Sequence, residues 1–148
     1  MMGLRNLTFI LLESFAIAHS VIPAHAACAA VTLDQEFKRS TAIFVGRAIA
    51  QSPVTTAANL PATDTTFEIE SLWKGGPRTT LRIRTCGGIA GDQQVICGEG
   101  FRFQVGSRYV VFADGAPLET SACSRTELVS HAEQTLEWLS HKPRKKGA

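Results

Sequence analysis

Two kinds of apolar pattern recur along this chain: runs that are apolar on both faces and runs that alternate. Ala42 to Ala50 (AIFVGRAIA) is apolar except at Arg47, the pattern of a strand with cover on each side. Gly46 within it marks a bulge or bend, which a tightly curved small barrel needs. Arg108 to Ala113 (RYVVFA) has the same two-faced character. Between them, Thr65 to Trp73 (TTFEIESLW) alternates, with Phe67, Ile69, Ser71 and Trp73 on one face and Thr66, Glu68 and Glu70 on the other. After a turn at Lys74 to Arg78 (KGGPR), Thr79 to Thr85 alternates again, Leu81 and Ile83 against Arg82 and Arg84.

Pairing Trp73 with Thr79 across that turn sets a register. It places Glu70 opposite Arg82, Glu68 opposite Arg84 and Ile69 opposite Ile83. Each cross-strand charge pair contributes roughly 0.2–1 kcal/mol, and a one-residue slip would lose both pairs and turn the apolar face outward. These charges read as a salt-bridged solvent face. An acid–base carboxylate pair would need environments that separate two pKa values, and the adjacent arginines argue against that.

Helical patterns flank the strands. Val31 to Ser40 reads as a short helix capped by Thr32, with Gln35 in capping-box position and Leu33 and Phe37 facing one way. Ser124 with Glu127 reads as the capping box of a closing helix that runs to Ser140. Leu128, Ala132, Leu136 and Leu139 form its apolar stripe, with Val129 beside it, to be laid on the sheet. Gln51 to Thr63, rich in Ser, Thr, Ala and Pro, reads as a loop, because Pro53 and Pro61 discourage strand pairing. Cys86 to Gly100 (CGGIAGDQQVICGEG) reads as glycine-rich and irregular. Asp114-Gly115 is a hairpin turn signal, after which Leu118 to Ala122 returns as a fifth strand. The expected fold is mainly β with flanking helices: a five-stranded OB-type barrel with a C-terminal helix packed on it.

The first residues change the compartment. Arg5, the apolar run Leu7 to Ala18 and the small-x-small triplet Ala24-His25-Ala26 have the layout of a signal peptide, residues 1–26, cleaved after Ala26. A membrane anchor fits less well, since Glu13 interrupts the run and it falls short of about 20 apolar residues. A lipidated Cys28 is a weaker alternative, because His25 stands where a leucine-like side chain belongs. No other segment is long and apolar enough to span a bilayer, so a secreted or periplasmic product without a membrane span is expected.

Four cysteines follow the leader: Cys28, Cys86, Cys97 and Cys123. An even count in a small exported chain reads as a disulfide framework, with three possible pairings. A zinc site fits less well: there is no Cys-x-x-Cys pair, and the mature part has only His131 and His141. No metal or other cofactor is expected. Two disulfides would add roughly 2–4 kcal/mol each to a core of marginal size.

The net charge of +2 is unevenly spread. Residues 27–141, the expected domain, carry ten Lys and Arg against twelve Asp and Glu. The tail, residues 142–148, concentrates Lys142, Arg144, Lys145 and Lys146 and reads as a disordered end. A mildly acidic body excludes the usual nucleic-acid footprint. Gly-x-Ser-x-Gly, His-Glu-x-x-His and Cys-x-x-Cys do not occur, and His131 reads as a surface histidine, so no catalytic residue is assigned and the chain is not read as an enzyme.

Taken together, the mature residues resemble bacterial members of the tissue-inhibitor-of-metalloproteinases (TIMP) family, within the netrin-like OB-fold group. The resemblance lies in Ala42 to Arg47, in Thr66 to Glu70 through Trp73-Lys74-Gly75, in Cys97-Gly98 and Phe103 to Gly106, in Tyr109 to Ala113, and in Cys123-Ser124-Arg125-Thr126. It covers most of the chain after the leader. The gap between Cys97 and Phe103 is longer than the family's usual one. The resemblance implies a protein-binding module, expected to be a monomer, whose partner is a zinc metalloprotease. In inhibitory members an N-terminal cysteine, bonded into the barrel, offers its free amine and carbonyl to the open position of the protease zinc. Carried over, the inhibitory contact falls on Ala27 and Cys28.

Two departures follow. The family start is Cys-x-Cys, whereas here one cysteine stands behind Ala27, which would move the amine off the chelating position. Cys28 can take the place of either family cysteine and pair with Cys97 or Cys123. The pairing carried forward is Cys28–Cys123 with Cys86–Cys97. The alternative function is an envelope interaction domain without inhibitory or catalytic activity.

Overall fold

The two-faced runs lie side by side at the middle of one antiparallel sheet. This is seen in a computed structural model that describes residues 28–145; the expected signal peptide, residues 1–26, and Ala27 and Lys146 lie outside the described residues. The strands are β1 (Ala42–Thr55), β2 (Pro61–Lys74), β3 (Thr80–Cys86), β4 (Gly88–Ala90), β5 (Gln93–Val95), β6 (Arg108–Ala113) and β7 (Glu127–Leu128). The helices are α1 (Leu33–Arg39) and α2 (Glu133–Ser140), the second preceded by a 3₁₀ turn at Val129–His131. The main sheet has the order β3-β2-β1-β6-β7, and β4 and β5 form a separate hairpin.

β1 pairs with β2 on one edge and with β6 on the other, and from Ala42 to Ala48 both its faces are covered, Arg47 apart. Ile43, Val45, Val110, Phe112 and Trp73 form one core layer with Ala132 and Leu139, joined by Phe37, Leu136 and Trp138 of the helices. Phe44, Phe67, Ile83, Phe103, Tyr109 and Val111 fill the other. In that second layer Phe67 meets Phe44, Phe103 and Tyr109 edge to face at 5.4, 4.8 and 6.2 Å. Such pairs contribute roughly 0.5–1.5 kcal/mol each beyond burial.

The short helix forms as its sequence predicts. The Thr32 hydroxyl accepts from the Gln35 amide at 3.2 Å, and the Gln35 side chain accepts from the Thr32 amide at 3.0 Å. At its other end the Lys74 ammonium donates to the carbonyls of Phe37 and Lys38, which are left free where a helix stops. α2 is anchored by Trp73, whose buried indole N–H donates to the Leu139 carbonyl at 2.9 Å.

The β2–β3 register differs from the expected one by four residues. Thr65 faces Ile83, Thr66 faces Arg82, and Asp64 faces Arg84. A shift by an even number keeps every side chain on its own face, so alternation is blind to it. The connection runs from Ile69 to Thr79, whose carbonyl accepts from the Ile69 amide at 2.9 Å. Beyond that point β2 pairs with β1, up to Ile43–Lys74, and meets Lys145 in a single bridge at Leu72. The charges find other partners. Arg84 holds Asp64 through two hydrogen bonds of 2.7 and 3.0 Å, and Arg108 holds Glu70. Register shifts along β1–β2 also break the parity within β2. Leu72 joins Phe67 in one core layer while Trp73 turns to the helices.

Residues 51–63, expected as a loop, are mostly strand. Pro53 pairs with Thr63 and Thr55 with Pro61 around a tight turn at Thr56 to Leu60. The prolines are tolerated because β1 has left its β6 partner after Arg47 and Pro61 is the first residue of β2, both positions where a missing N–H is harmless. Cys86 to Gly100 is likewise not wholly irregular, since it contains the β4–β5 hairpin.

Leu118 to Ala122 does not form the expected fifth strand. It makes single bridges, Glu119 with Asp114 and with Arg84. The fifth place in the ladder goes to Glu127–Leu128, so the closing helix starts later than Ser124. The main sheet is open, with β3 and β7 at its edges. Of the basic tail, residues 142–145 are described and are packed. Lys142 lies 4.1 Å from the Trp138 ring, Arg144 lies 5.2 Å from the Trp73 ring, and the Lys145 amide donates to the Leu72 carbonyl at 2.8 Å. No helix among the described residues is long and apolar enough to cross a membrane.

Two outcomes test this architecture. A Cβ on Gly46 would sit 2.6 Å from the Glu68 carbonyl oxygen, a contact that only backbone movement relieves. Gly46→Ala therefore lowers stability by about 1–3 kcal/mol in urea unfolding, whereas the same change at Gly98, where nothing lies within 4 Å, is close to neutral. Hydrogen bonds from Arg108 hold the Glu70 carboxyl below its ordinary value; burial opposes this, and the charges of Arg108 and Arg47 add to it. The stabilisation is therefore present above the unfolded carboxylate pKa and is lost as pH falls through the lower folded value. An NMR titration of the Glu70 carboxyl should move upward in Arg108→Ala.

Candidate functional site

A run of hydroxyl residues, Thr120 to Thr126, builds the base of the site. No regular strand covers the Phe112 end of β6 here, so side chains satisfy its backbone. The Thr126 hydroxyl accepts from the Phe112 amide at 2.9 Å, and the hydroxyls of Thr120 and Thr126 lie 2.8 and 3.2 Å from the Phe112 carbonyl. Thr120 also meets Thr126 and Ser124 at 2.8 Å each. The Ser124 hydroxyl donates to the Ser121 carbonyl at 2.8 Å and accepts from the Thr126 amide at 3.1 Å. Ser124 is thus a turn residue rather than a helix cap. Glu127, its expected capping partner, accepts from Thr135 at 2.7 Å.

This stitched turn presents Cys123, and Cys123 is bonded to Cys28 with Cα atoms 5.1 Å apart. The bond closes a separation of 95 residues. In the chain-entropy account, a loop of that order contributes about 4.7 kcal/mol, against about 3 for a loop of some 15 residues. Cys28, Ala29 and Ala30 are exposed, so the N-terminal segment is tethered at one point and otherwise accessible. Ala27, the other expected contact residue, lies outside the described residues.

Cys86 and Cys97, bonded with Cα atoms 5.9 Å apart, close the β4–β5 hairpin at its base. Gly87 is required there. Its φ is +93° and a Cβ would lie 2.9 Å from the Val95 carbonyl oxygen. The two crosslinked regions meet, because the Ala122 amide donates to the Glu99 carbonyl at 2.8 Å. There is no free cysteine among the described residues.

Between them lies a cleft of about 490 Å³. Its wall includes α1 through Glu36 and Arg39, the turn at Leu60, both cysteines of the hairpin, and Asp114, Glu119, Ser121 and Ser124. Beneath it, Arg84 is fixed three ways. Its side chain holds Asp64, its amide donates to Leu118 at 2.9 Å, and its carbonyl accepts from Thr120 at 3.2 Å.

Two features of this rim escape sequence reading. Glu36 sits among charged neighbours on a short helix that reads as surface, yet it is only 2% exposed. Ile89 and Ile96 belong to a glycine-rich stretch with no periodic signal, yet they stand 66% and 69% exposed at the hairpin. His131 and His141 are exposed. Among the described residues, no three His, Cys, Asp or Glu side chains are grouped to hold a metal ion.

Thr126→Val keeps the shape of the side chain but removes the acceptor of the Phe112 amide, which is buried. A stability loss of about 1–3 kcal/mol is expected, measured by denaturant unfolding of the oxidised protein. A loss confined to a few tenths would show that the hydroxyl stitch does not hold the turn.

The chain matches no protein-family model and no curated protein sequence.

Proposed function

We propose that this chain is an exported protein-binding module, an OB-type barrel related to the metalloprotease inhibitors, whose contact edge is the N-terminal segment at Ala27 and Cys28. The observation that carries this reading is the Cys28–Cys123 bond, which fastens an exposed N-terminal segment to a rigid, hydrogen-bonded turn. A free terminus loses much affinity to its own ordering on binding, and a crosslink at Cys28 removes most of that cost. The barrel reading draws support from Leu118 to Thr120, which bridges Arg84 of β3 to Asp114 beyond β6, where a closing strand would run. Export draws support from the two disulfides, which persist in oxidising compartments.

Inhibition proper requires the amine of Cys28 itself to be free. With Cys28 first, amine and carbonyl span one residue and can enter the open position of a catalytic zinc. With Ala27 ahead of it, they cannot. A second reading, an envelope interaction domain without inhibition, is favoured by Ile89 and Ile96. Two large apolar side chains held out on a crosslinked hairpin suit a partner contact that does not involve zinc.

One experiment separates the two. The exported protein is purified, its N-terminus sequenced, and forms beginning at Ala27 and at Cys28 are assayed against a panel of zinc endopeptidases. The inhibitory reading expects the Cys28 form to inhibit and an acetylated Cys28 form to lose inhibition. Failure of both natural forms against every protease would leave the interaction domain. In that case Ile89→Asp with Ile96→Asp is expected to abolish recovery of the partner from a periplasmic or secreted extract.

A further inference from the structure

The cleft beside the hydroxyl turn carries more negative charge than its neighbours balance. Four carboxylates line it, Glu36, Glu99, Asp114 and Glu119, against the guanidinium groups of Arg39 and Arg84. Arg84 is already committed to Asp64 by two hydrogen bonds. Glu99, Asp114 and Glu119 are exposed and form no ion pair among the described residues.

Glu36 is the unusual member. It is 2% exposed, and its Oε2 has no hydrogen-bond partner. The Arg39 Nε lies 2.8 Å away, close enough to attract but not aligned to donate, and Arg39 itself is half exposed. A buried carboxylate oxygen without a donor is costly. Glu36 stands in the wall of an open cleft with this oxygen closed to solvent, so a donor from outside completes it by displacing the half-exposed Arg39 side chain.

The rest of the cleft narrows the choice of that donor. Leu60, 57% exposed, and the half-buried Pro61 contribute apolar surface, while Ala62, Phe112 and Ala113 are buried in the wall. An anion is disfavoured by the charge. A metal ion has no three grouped ligands among the described residues. What fits is a positive head on an aliphatic stem, the form of a lysine or arginine side chain.

We propose that this cleft receives a Lys or Arg side chain presented by a protein partner, the stem lying on Leu60 and Pro61 and the charged head donating to Glu36 and Glu119. The site uses neither Ala27 nor Cys28, so it stands or falls apart from protease inhibition.

The test is a titration of the ¹⁵N-labelled, oxidised full mature chain with Nα-acetyl-arginine methylamide. The uncharged Nα-acetyl-norleucine methylamide serves as the control. Saturable amide shifts are expected at Leu60, Ala113, Asp114, Glu119 and Ser121, much smaller with the control and weakened by salt. Glu36→Gln and Glu119→Gln should each raise Kd about tenfold. Glu119 is exposed, so its variant reads out binding even if Glu36→Gln unfolds. Equal shifts with the norleucine probe, shifts mapping elsewhere, no shifts at all, or an unchanged Kd in Glu119→Gln would each overturn the proposal. Tighter binding of agmatine than of the capped residue would also overturn it, by assigning the cleft to a free amine.

Discussion

The first half of β1, Ala42 to Ala48, is hydrogen-bonded along both edges and, apart from Arg47, buried on both faces, and the rest of the molecule is arranged to meet those four demands. β2 and β6 satisfy its edges. The aromatic layer around Phe67 covers one face and the two helices cover the other. The sheet must bend for this, and the register shifts along β1–β2 provide the bend. Gly46 permits it, because the Glu68 carbonyl occupies the space where any side chain would stand.

The rim of the cleft follows from how far β6 reaches. β6 ends at Ala113 and β7 pairs only with Tyr109 and Val110. The backbone of Phe112 is therefore left to side-chain hydroxyls, and the residues that supply them, Thr120 and Thr126, bracket Cys123. The same turn thus satisfies a strand end, anchors the N-terminal segment through Cys28, and forms one wall of the acidic cleft. An edge requirement of the sheet has shaped the wall of a cleft.

Much of this was readable residue by residue. The capping box at Thr32 and Gln35, the two-faced character of Arg108 to Ala113 and of Ala42 to Ala48 (Ile49 and Ala50, read with them, are exposed), and the apolar positions Ala132 and Leu139 all depend on neighbours within a turn or two. The β2–β3 register was not readable, because a four-residue shift leaves the faces unchanged and Arg84 meets a carboxylate in either arrangement, Glu68 in the expected one and Asp64 in the structure. The start of the closing helix was misread for a related reason. Ser124 and Glu127 have capping-box spacing, but the buried Phe112 amide claims Thr126 and draws the next residues into the sheet. Proline content made residues 51–63 look like loop, since composition does not reveal which strand edge is free.

Local chemistry in the chain dictated which segments are strand or helix, which side chains face a core, and that four sulfurs stand ready to pair. Folding in three dimensions decided which strand positions lie opposite one another and where each charge finds its partner. It also decided that a glutamate from a short surface-like helix is buried at the wall of a cleft. Periodicity encodes faces, and faces survive any even displacement of one strand along another. Only the packing of both core layers at once selects among those displacements, and the cleft exists only after that selection is made.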